Sequence, residues 1–360
     1  MKYVDEYRDA ERVKSLVAAI ARTATRPWNI MEVCGGQTHT IAKYRIEEML
    51  PENIRLLHGP GCPVCVTSAG MIDHALEIAA RNDVIFCSFG DMMRVPGSER
   101  DLLQVKAAGA DVRMLYSPLD AVELAKNHPD REIVFFAVGF ETTAPVYLMA
   151  LKEAERRGLK NFSLLCSLFA VPPAIEMIVN QEDSQVNGFL LAGHVCAIMG
   201  SEDYVVLAEK CRKPLVVTGF EPADLLSSIY LCIKQLEEGR AQVENAYKRV
   251  VRDEGNPAAR RMMAEILEPA DREWRGIGTI PKSGFALREK YATFDAEKKF
   301  PRSLQTSDNE DNPCIAGEIM KGIKNVSDCP HFATRCTPEH PLGASMVSDE
   351  GVCAAFYKYR

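Results

Sequence analysis

The stretch Ile54-Arg55-Leu56-Leu57-His58-Gly59-Pro60-Gly61-Cys62-Pro63-Val64-Cys65, followed by Met71-Ile72-Ala75-Leu76-Ala79, decides the fold class. A short apolar run reads as a strand, glycine and proline set a tight turn, and i, i+3, i+4 spacing then gives a helix one apolar face. The helix is expected to start at Thr67 or Ser68. Working outward, the same unit recurs. Strands are predicted near residues 30–33, 54–57, 84–89 and 112–115, and a second set near 133–138, 162–168, 188–191 and 215–218. Strands alternating with helices indicate an α/β protein built on parallel sheets. Phe89-Gly90-Asp91, Gly139-Phe140-Glu141 and Gly219-Phe220-Glu221 each run from a strand into glycine, aromatic and acid. That suggests two related modules, or simply the preference of strand-to-helix turns for glycine and an acid. After Glu221 a helical pattern runs to about Val251, where Gly255-Asn256-Pro257 breaks it. From Trp274 onward helical periodicity fades and glycine, proline and cysteine become denser, as where a bound group holds the chain. The expected domains are 1–117, 118–252 and 253–360.

With 360 residues, 47% apolar and 26% charged, the chain can bury substantial cores. A formal charge of −7 argues against a nucleic-acid surface. Met1-Lys2-Tyr3-Val4-Asp5-Glu6 meets charge at once, and residues 16–20 are too brief for a signal-peptide core. No apolar run approaches the roughly 18 residues of a membrane span. A cytoplasmic protein is expected. There, twelve cysteines point to metal binding, redox chemistry or core filling rather than to a disulfide framework.

The cysteines fall into groups. Cys34, in Val33-Cys34-Gly35-Gly36-Gln37-Thr38-His39-Thr40, ends a strand and enters a helix, the edge where open α/β sheets collect ligands. A helix N-terminus favours its thiolate, for nucleophilic attack or for metal binding with His39; the plain alternative is a buried cysteine and a solvated histidine. Cys62 and Cys65 form a C-x-x-C pair able to close a disulfide or share a metal, on the same edge as Cys34 if their strands are neighbours. No second pair stands at zinc-finger distance. Cys314, Cys329, Cys336 and Cys353, with fourteen, six and sixteen intervening residues, can complete a 4Fe-4S cluster or one zinc site; lacking a tight pair, they favour the cluster. Cys87, Cys166, Cys196, Cys211 and Cys232 sit in apolar surroundings and read as structural. His194 also follows a strand and either faces the cleft or, the preferred reading, is a satisfied structural histidine. Glu141 and Thr142, in Gly139-Phe140-Glu141-Thr142-Thr143-Ala144-Pro145, offer proton-transfer and hydrogen-bonding groups at a strand end, or helix capping. No Walker A loop and no strand-borne G-x-G-x-x-G is present, so no nucleotide is expected.

Taken together, Cys34-Gly35-Gly36-x-Thr38-His39, Gly59-Pro60-Gly61-Cys62-Pro63-Val64-Cys65, Gly139-Phe140-Glu141-Thr142-Thr143-Ala144-Pro145 and the four C-terminal cysteines resemble the HypD family of nickel-iron hydrogenase maturation proteins. The resemblance extends in order and spacing over almost the whole chain. It implies two Rossmann-like domains with parallel sheets and an irregular C-terminal domain carrying a 4Fe-4S cluster. It also implies a complex with a HypC-type chaperone, on which one Fe(II) receives cyanide and carbon monoxide. Cyanide would arrive from a HypE-type protein. On this reading Cys34, with His39 beside it, serves the iron. Cys62 and Cys65 cycle between dithiol and disulfide, and Glu141 with Thr142 handles protons or cleft polarity. One departure is Gln37, where many members carry a further histidine, so no essential role falls on that side chain. The expected protein is a redox-active assembly scaffold rather than a stand-alone enzyme, without nucleic-acid or membrane partners. The rival reading is a cluster-linked thiol-disulfide oxidoreductase; a structural zinc scaffold is a second.

Overall fold

The computed structural model describes residues 5–302 and 312–360; the charged start at Met1–Val4 lies outside them. Eleven strands are formed: β1 Trp28–Glu32, β2 Ile54–His58, β3 Val84–Ser88, β4 Val112–Met114, β5 Glu132–Gly139, β6 Phe162–Phe169, β7 Gly188–Ala192, β8 Leu215–Thr218, β9 Val243–Asn245, β10 Leu267–Trp274 and β11 Gly278–Leu287. They make a five-stranded sheet in the order β2-β1-β7-β8-β9 and a six-stranded sheet in the order β10-β11-β6-β5-β3-β4. The first is parallel throughout. The second is parallel from β6 to β4, and the β10–β11 hairpin adds to it antiparallel along β6. This is the α/β architecture of two Rossmann-like units.

Side chains alternate across each sheet with the period of two that extended backbone imposes. Ile30, Leu56, Leu190 and Val216 face helices Ala10–Thr23 and Pro222–Glu237. Met31, Leu57, Phe189, Leu191, Leu215 and Val217 face the opposite way and share a core with Phe140, Phe169 and Trp274 of the second unit. Each such side chain, fully buried, contributes about 1.5–3 kcal/mol, so the two units are joined by an apolar core rather than a wet linker. Ser68 caps helix Ala69–Ala79, its hydroxyl accepting from the Met71 amide at 3.2 Å, which fixes the start of the helix where the sequence places it.

The strand pairing differs from the chain-order grouping. β3 and β4 pair with β5 and β6, whereas β7 and β8 return to β1. A division at residue 117/118 therefore runs through the six-stranded sheet. Strand propensity marks existence and direction, but partner choice is set by which faces can be covered, and β1 needs a neighbour on each side to be buried. The helix expected to reach Val251 ends at Glu237. Gly239, at φ +67°, turns the chain so that β9 can pair with β8. Likewise the hairpin β10–β11, within the region expected to be irregular, is an integral edge of the second sheet, and its turn uses Gly276 at φ +69°.

Each sheet has a point where the strand order reverses: between β1 and β7 in the first, between β3 and β5 in the second. Crevices outside the carboxyl ends of strands at such points are the usual ligand sites of open α/β sheets.

Candidate functional site

Cys34 leaves β1 at the first of these crevices and caps helix Gly35–Lys43. Cys62 follows β2, its sulfur accepting from the Cys65 amide at 3.3 Å at the start of helix Pro63–Val66. Because β1 and β2 are parallel neighbours in register, Glu32 opposite His58, the two cysteine turns emerge side by side. The Gly35 amide donates to the Gly61 carbonyl at 3.0 Å. A Cβ on Gly61 would stand 2.2 Å from the Cys34 nitrogen, so only glycine lets the turns approach this closely. All three thiols are buried, at 1%, 4% and 3% exposure for Cys34, Cys62 and Cys65.

Beneath Cys34 lies a buried charged pair. The Glu32 carboxylate accepts from the Cys34 amide at 2.8 Å, from the Thr38 hydroxyl and from His58 Nδ1 at 2.8 Å. His58 Nε2 reaches Glu47 at 3.3 Å. Burial alone would lower the imidazole's pKa, but its bonds to Glu32 and Glu47 prevail and raise it to about 9, so His58 is a cation paired with Glu32. The pair cross-links the ends of β1 and β2 and orients the Cys34 turn.

The imidazole that touches Cys34 belongs to His194, not to His39. His194 opens helix Gly193–Met199 at the end of β7, with Cys34 Sγ 3.6 Å from Nδ1 and 4.0 Å from Nε2. Its ring stacks on Phe220 at 5.3 Å, which holds its plane. Burial lowers its pKa to about 4, leaving it neutral, the form that ligates metals or accepts a thiol proton. The two ring nitrogens of His39 are instead engaged by the C-terminal segment. Nδ1 donates to the Asp349 carbonyl at 3.4 Å, and the Tyr359 hydroxyl donates to Nε2 at 2.9 Å.

The electrostatics of the thiols run against the helix-terminus expectation. Burial, then Glu350 and Glu32, push Cys34 well up, outweighing the amides of Gln37 and Gly36. Burial and Cys62 push Cys65 up. Four residues of helix Pro63–Val66 and desolvated sulfur give dipoles too little leverage. A cation at Cys34 would be welcomed by the same two carboxylates that disfavour a lone thiolate.

Glu141 and Thr142 follow β5, and Glu141 turns towards the end of β6. Glu141 Oε1 accepts from the Val171 amide at 2.9 Å, capping helix Val171–Val179, whose own N-cap residue Ala170 has no side chain to do so. The other carboxyl oxygen and the Thr142 hydroxyl are buried without a partner among the described residues, and burial raises Glu141 to about 7. Its charge is felt at Cys196 and Tyr204, whereas Cys34 feels Glu32 and Glu350.

Cys314, Cys329, Cys336 and Cys353 line one cavity, closed by Ile315, Ile319, Phe332, Leu342 and Met346. The Leu342 amide donates to Cys336 Sγ at 3.4 Å. The four thiols surround a common volume. A soft four-thiol donor set in an apolar shell, with an amide directed at sulfur, fits a polynuclear thiolate-bound group. Cys87, Cys166, Cys196, Cys211 and Cys232 are buried, unpaired thiols of the sheet and helix cores.

The family model described as the HypD, "Hydrogenase formation hypA family", matches residues 11–360. The chain belongs to the HypD family. Among its relatives, the hydrogenase maturation factor HypD of Rhizobium leguminosarum bv. viciae is 46% identical, with 100% of this chain and 96% of the relative aligned. The HypD of Rhodobacter capsulatus is 46% identical over 100% and 98%, and that of Escherichia coli (strain K12) 45% over 100% and 98%. Membership in the HypD family carries a role in hydrogenase maturation. No helix among the described residues is long and apolar enough to cross a membrane. What sequence reasoning missed in this HypD-family site was His194, 160 positions from Cys34; its one signal, a histidine just beyond a strand, does not say which strand lies beside β1.

Proposed function

We propose that this chain is the scaffold on which a HypC-type chaperone and a HypE-type cyanide donor assemble the Fe(CN)2CO centre of nickel-iron hydrogenases. The observation that carries it is the meeting of Cys34, His194 and the Cys62/Cys65 turn at one sheet edge. Cys34 supplies a thiolate to incoming Fe(II), with His194 as the neighbouring neutral imidazole; His39, engaged at both nitrogens, stands outside the ligand set. Cys62 and Cys65 supply two electrons. A carrier thiocyanate and the two thiols yield the carrier thiol, cyanide on iron, one Cys62–Cys65 disulfide and one proton. A 4Fe-4S cluster held by Cys314, Cys329, Cys336 and Cys353 would supply one-electron transfer. Glu141, bonded at one carboxyl oxygen, and the Thr142 hydroxyl provide polarity or a proton site beyond β5.

The test is anaerobic co-purification with the chaperone and infrared spectroscopy in the cyanide and carbonyl region. The parent chain should carry both sets of bands and Cys34→Ala neither. Cys62→Ser should retain iron while losing the cyanide bands. Bands of parent intensity in Cys34→Ala would overturn the assignment.

A further inference from the structure

The C-terminal segment crosses both cysteine turns before it ends. Cys65 Sγ meets the Ala344 carbonyl at 3.9 Å, Arg94 donates to the Val347 carbonyl at 3.3 Å, and the Ser348 hydroxyl donates to Asp91 at 2.9 Å. Glu350 presses on the Cys34 turn so closely that a Cβ on Gly35 would lie 2.3 Å from its carbonyl oxygen. Helix Val352–Tyr359 then lies along helix Gly35–Lys43. Its first half, Val352 to Ala355, is buried, with Val352, Cys353 and Ala354 in a small core beside Ile319, Val326 and Met346. An open groove lined by Ile41, Arg45, His58, Val326, Phe332 and Phe356 runs beside it. The last turn of the helix, beyond Ala355, is only partly buried, so polar contacts there weigh in its local stability.

One such contact is made by His39, whose ring meets Tyr359 edge-on at 5.1 Å. With Nδ1 donating to the Asp349 carbonyl, Nε2 has one lone pair, and the Tyr359 hydroxyl takes it. The two bonds pin both ends of residues 349–359 to the helix that Cys34 caps. We infer that residues 344–359 form a strap over the Cys34 and Cys62/Cys65 turns, and that the His39–Tyr359 hydrogen bond is its clasp. His39 is thus a positioning residue: it holds Glu350 against the Cys34 turn and limits access to the thiol. Release of the Glu350 turn admits a reactant to Cys34.

The experiment is iodoacetamide alkylation of the full-length protein with its C-terminal cysteine site loaded, followed by mass spectrometry of individual cysteines. Cys232, at 0% exposure in the core beyond the sheet, is the internal control for global unfolding. Tyr359→Phe, which leaves the imidazole in place, should accelerate alkylation of Cys34 roughly fivefold, the population change expected for loss of one hydrogen bond. His39→Ala, which also removes the bond to the Asp349 carbonyl, should accelerate it at least as much, and the double variant no more than His39→Ala alone, since the Tyr359 bond is already lost there. Alkylation of Cys232 should stay at the parent rate. Hydrogen exchange should quicken in residues 349–359 alone. Parent-like Cys34 reactivity in Tyr359→Phe, additive effects in the double variant, or parallel acceleration of Cys232 would each overturn the clasp.

Discussion

At the residue scale the site is governed by a few buried titratable groups, each with a pH signature. His58 has a folded pKa raised to about 9 from 6.5. Its contribution to stability is therefore fully present below about pH 6.5 and is lost as pH rises through about 9. Urea midpoints of the parent and His58→Gln measured from pH 6 to 10 should converge across that window; a constant gap would show that the imidazolium is not what Glu32 holds. Breaking the pair from the other side, Glu32→Gln leaves a buried cation and should cost about 3–5 kcal/mol near neutral pH, read from the same denaturation curves. Glu141 behaves as a raised carboxyl, about 7 against 4.5. The stability it lends is complete below about pH 4.5 and is lost as pH rises through about 7. Glu141→Gln retains the oxygen that accepts from Val171 and removes the charge, so above pH 7 it should be more stable than the parent by up to ~3 kcal/mol. A variant less stable at every pH would mean that the ionised form has a partner.

At the element scale, what matters is how closely two strand-to-helix turns can pass. Cys34 and Cys62 are adjacent because β1 and β2 are in register and because Gly61 has no Cβ to strike the Cys34 backbone. Gly61→Ala should therefore cost about 1–3 kcal/mol, the usual penalty of overpacking, in thermal or urea unfolding. It should also separate the two turns, seen, on the proposed function, as loss of iron retention by Cys34 while far-UV circular dichroism stays at the parent level. Iron retention at the parent level would show that the turns can part without harm. The repeated glycine-aromatic-acid phrase serves different ends in its three settings. Phe140 fills the core shared by the units, Phe220 stacks on His194, and Asp91 accepts from the Ser348 hydroxyl. The phrase is a turn solution that three strands adopt, and tertiary contacts decide what each copy does.

At the scale of the whole molecule, the C-terminal cysteine cavity belongs to a satellite core of Ile319, Val326, Cys336, Met346, Val352 and Cys353, separate from the cores of the sheets. Removing whatever the four thiols bind should therefore loosen residues 312–360 and leave both sheets folded. Chelation under reducing conditions should abolish charge-transfer absorption and speed hydrogen exchange in that region, with β1 to β8 still protected. Cooperative loss of all protection would show instead that the bound group holds the entire chain.

The sequence by itself determined the α/β class and the eight strands of helical-sheet alternation, and it placed Cys34 beside Cys62 and Cys65 on condition that their strands pair, as they do. These follow from local periodicity, turn chemistry and the tendency of consecutive strands to pair. Tertiary structure alone decided that β7 returns to β1 and so brings His194 to Cys34, that the β10–β11 hairpin completes the second sheet, and that the chain's end folds back over the thiols to occupy His39. Those outcomes depend on which apolar faces can be covered at once by segments far apart in the chain, and no window of sequence contains both faces.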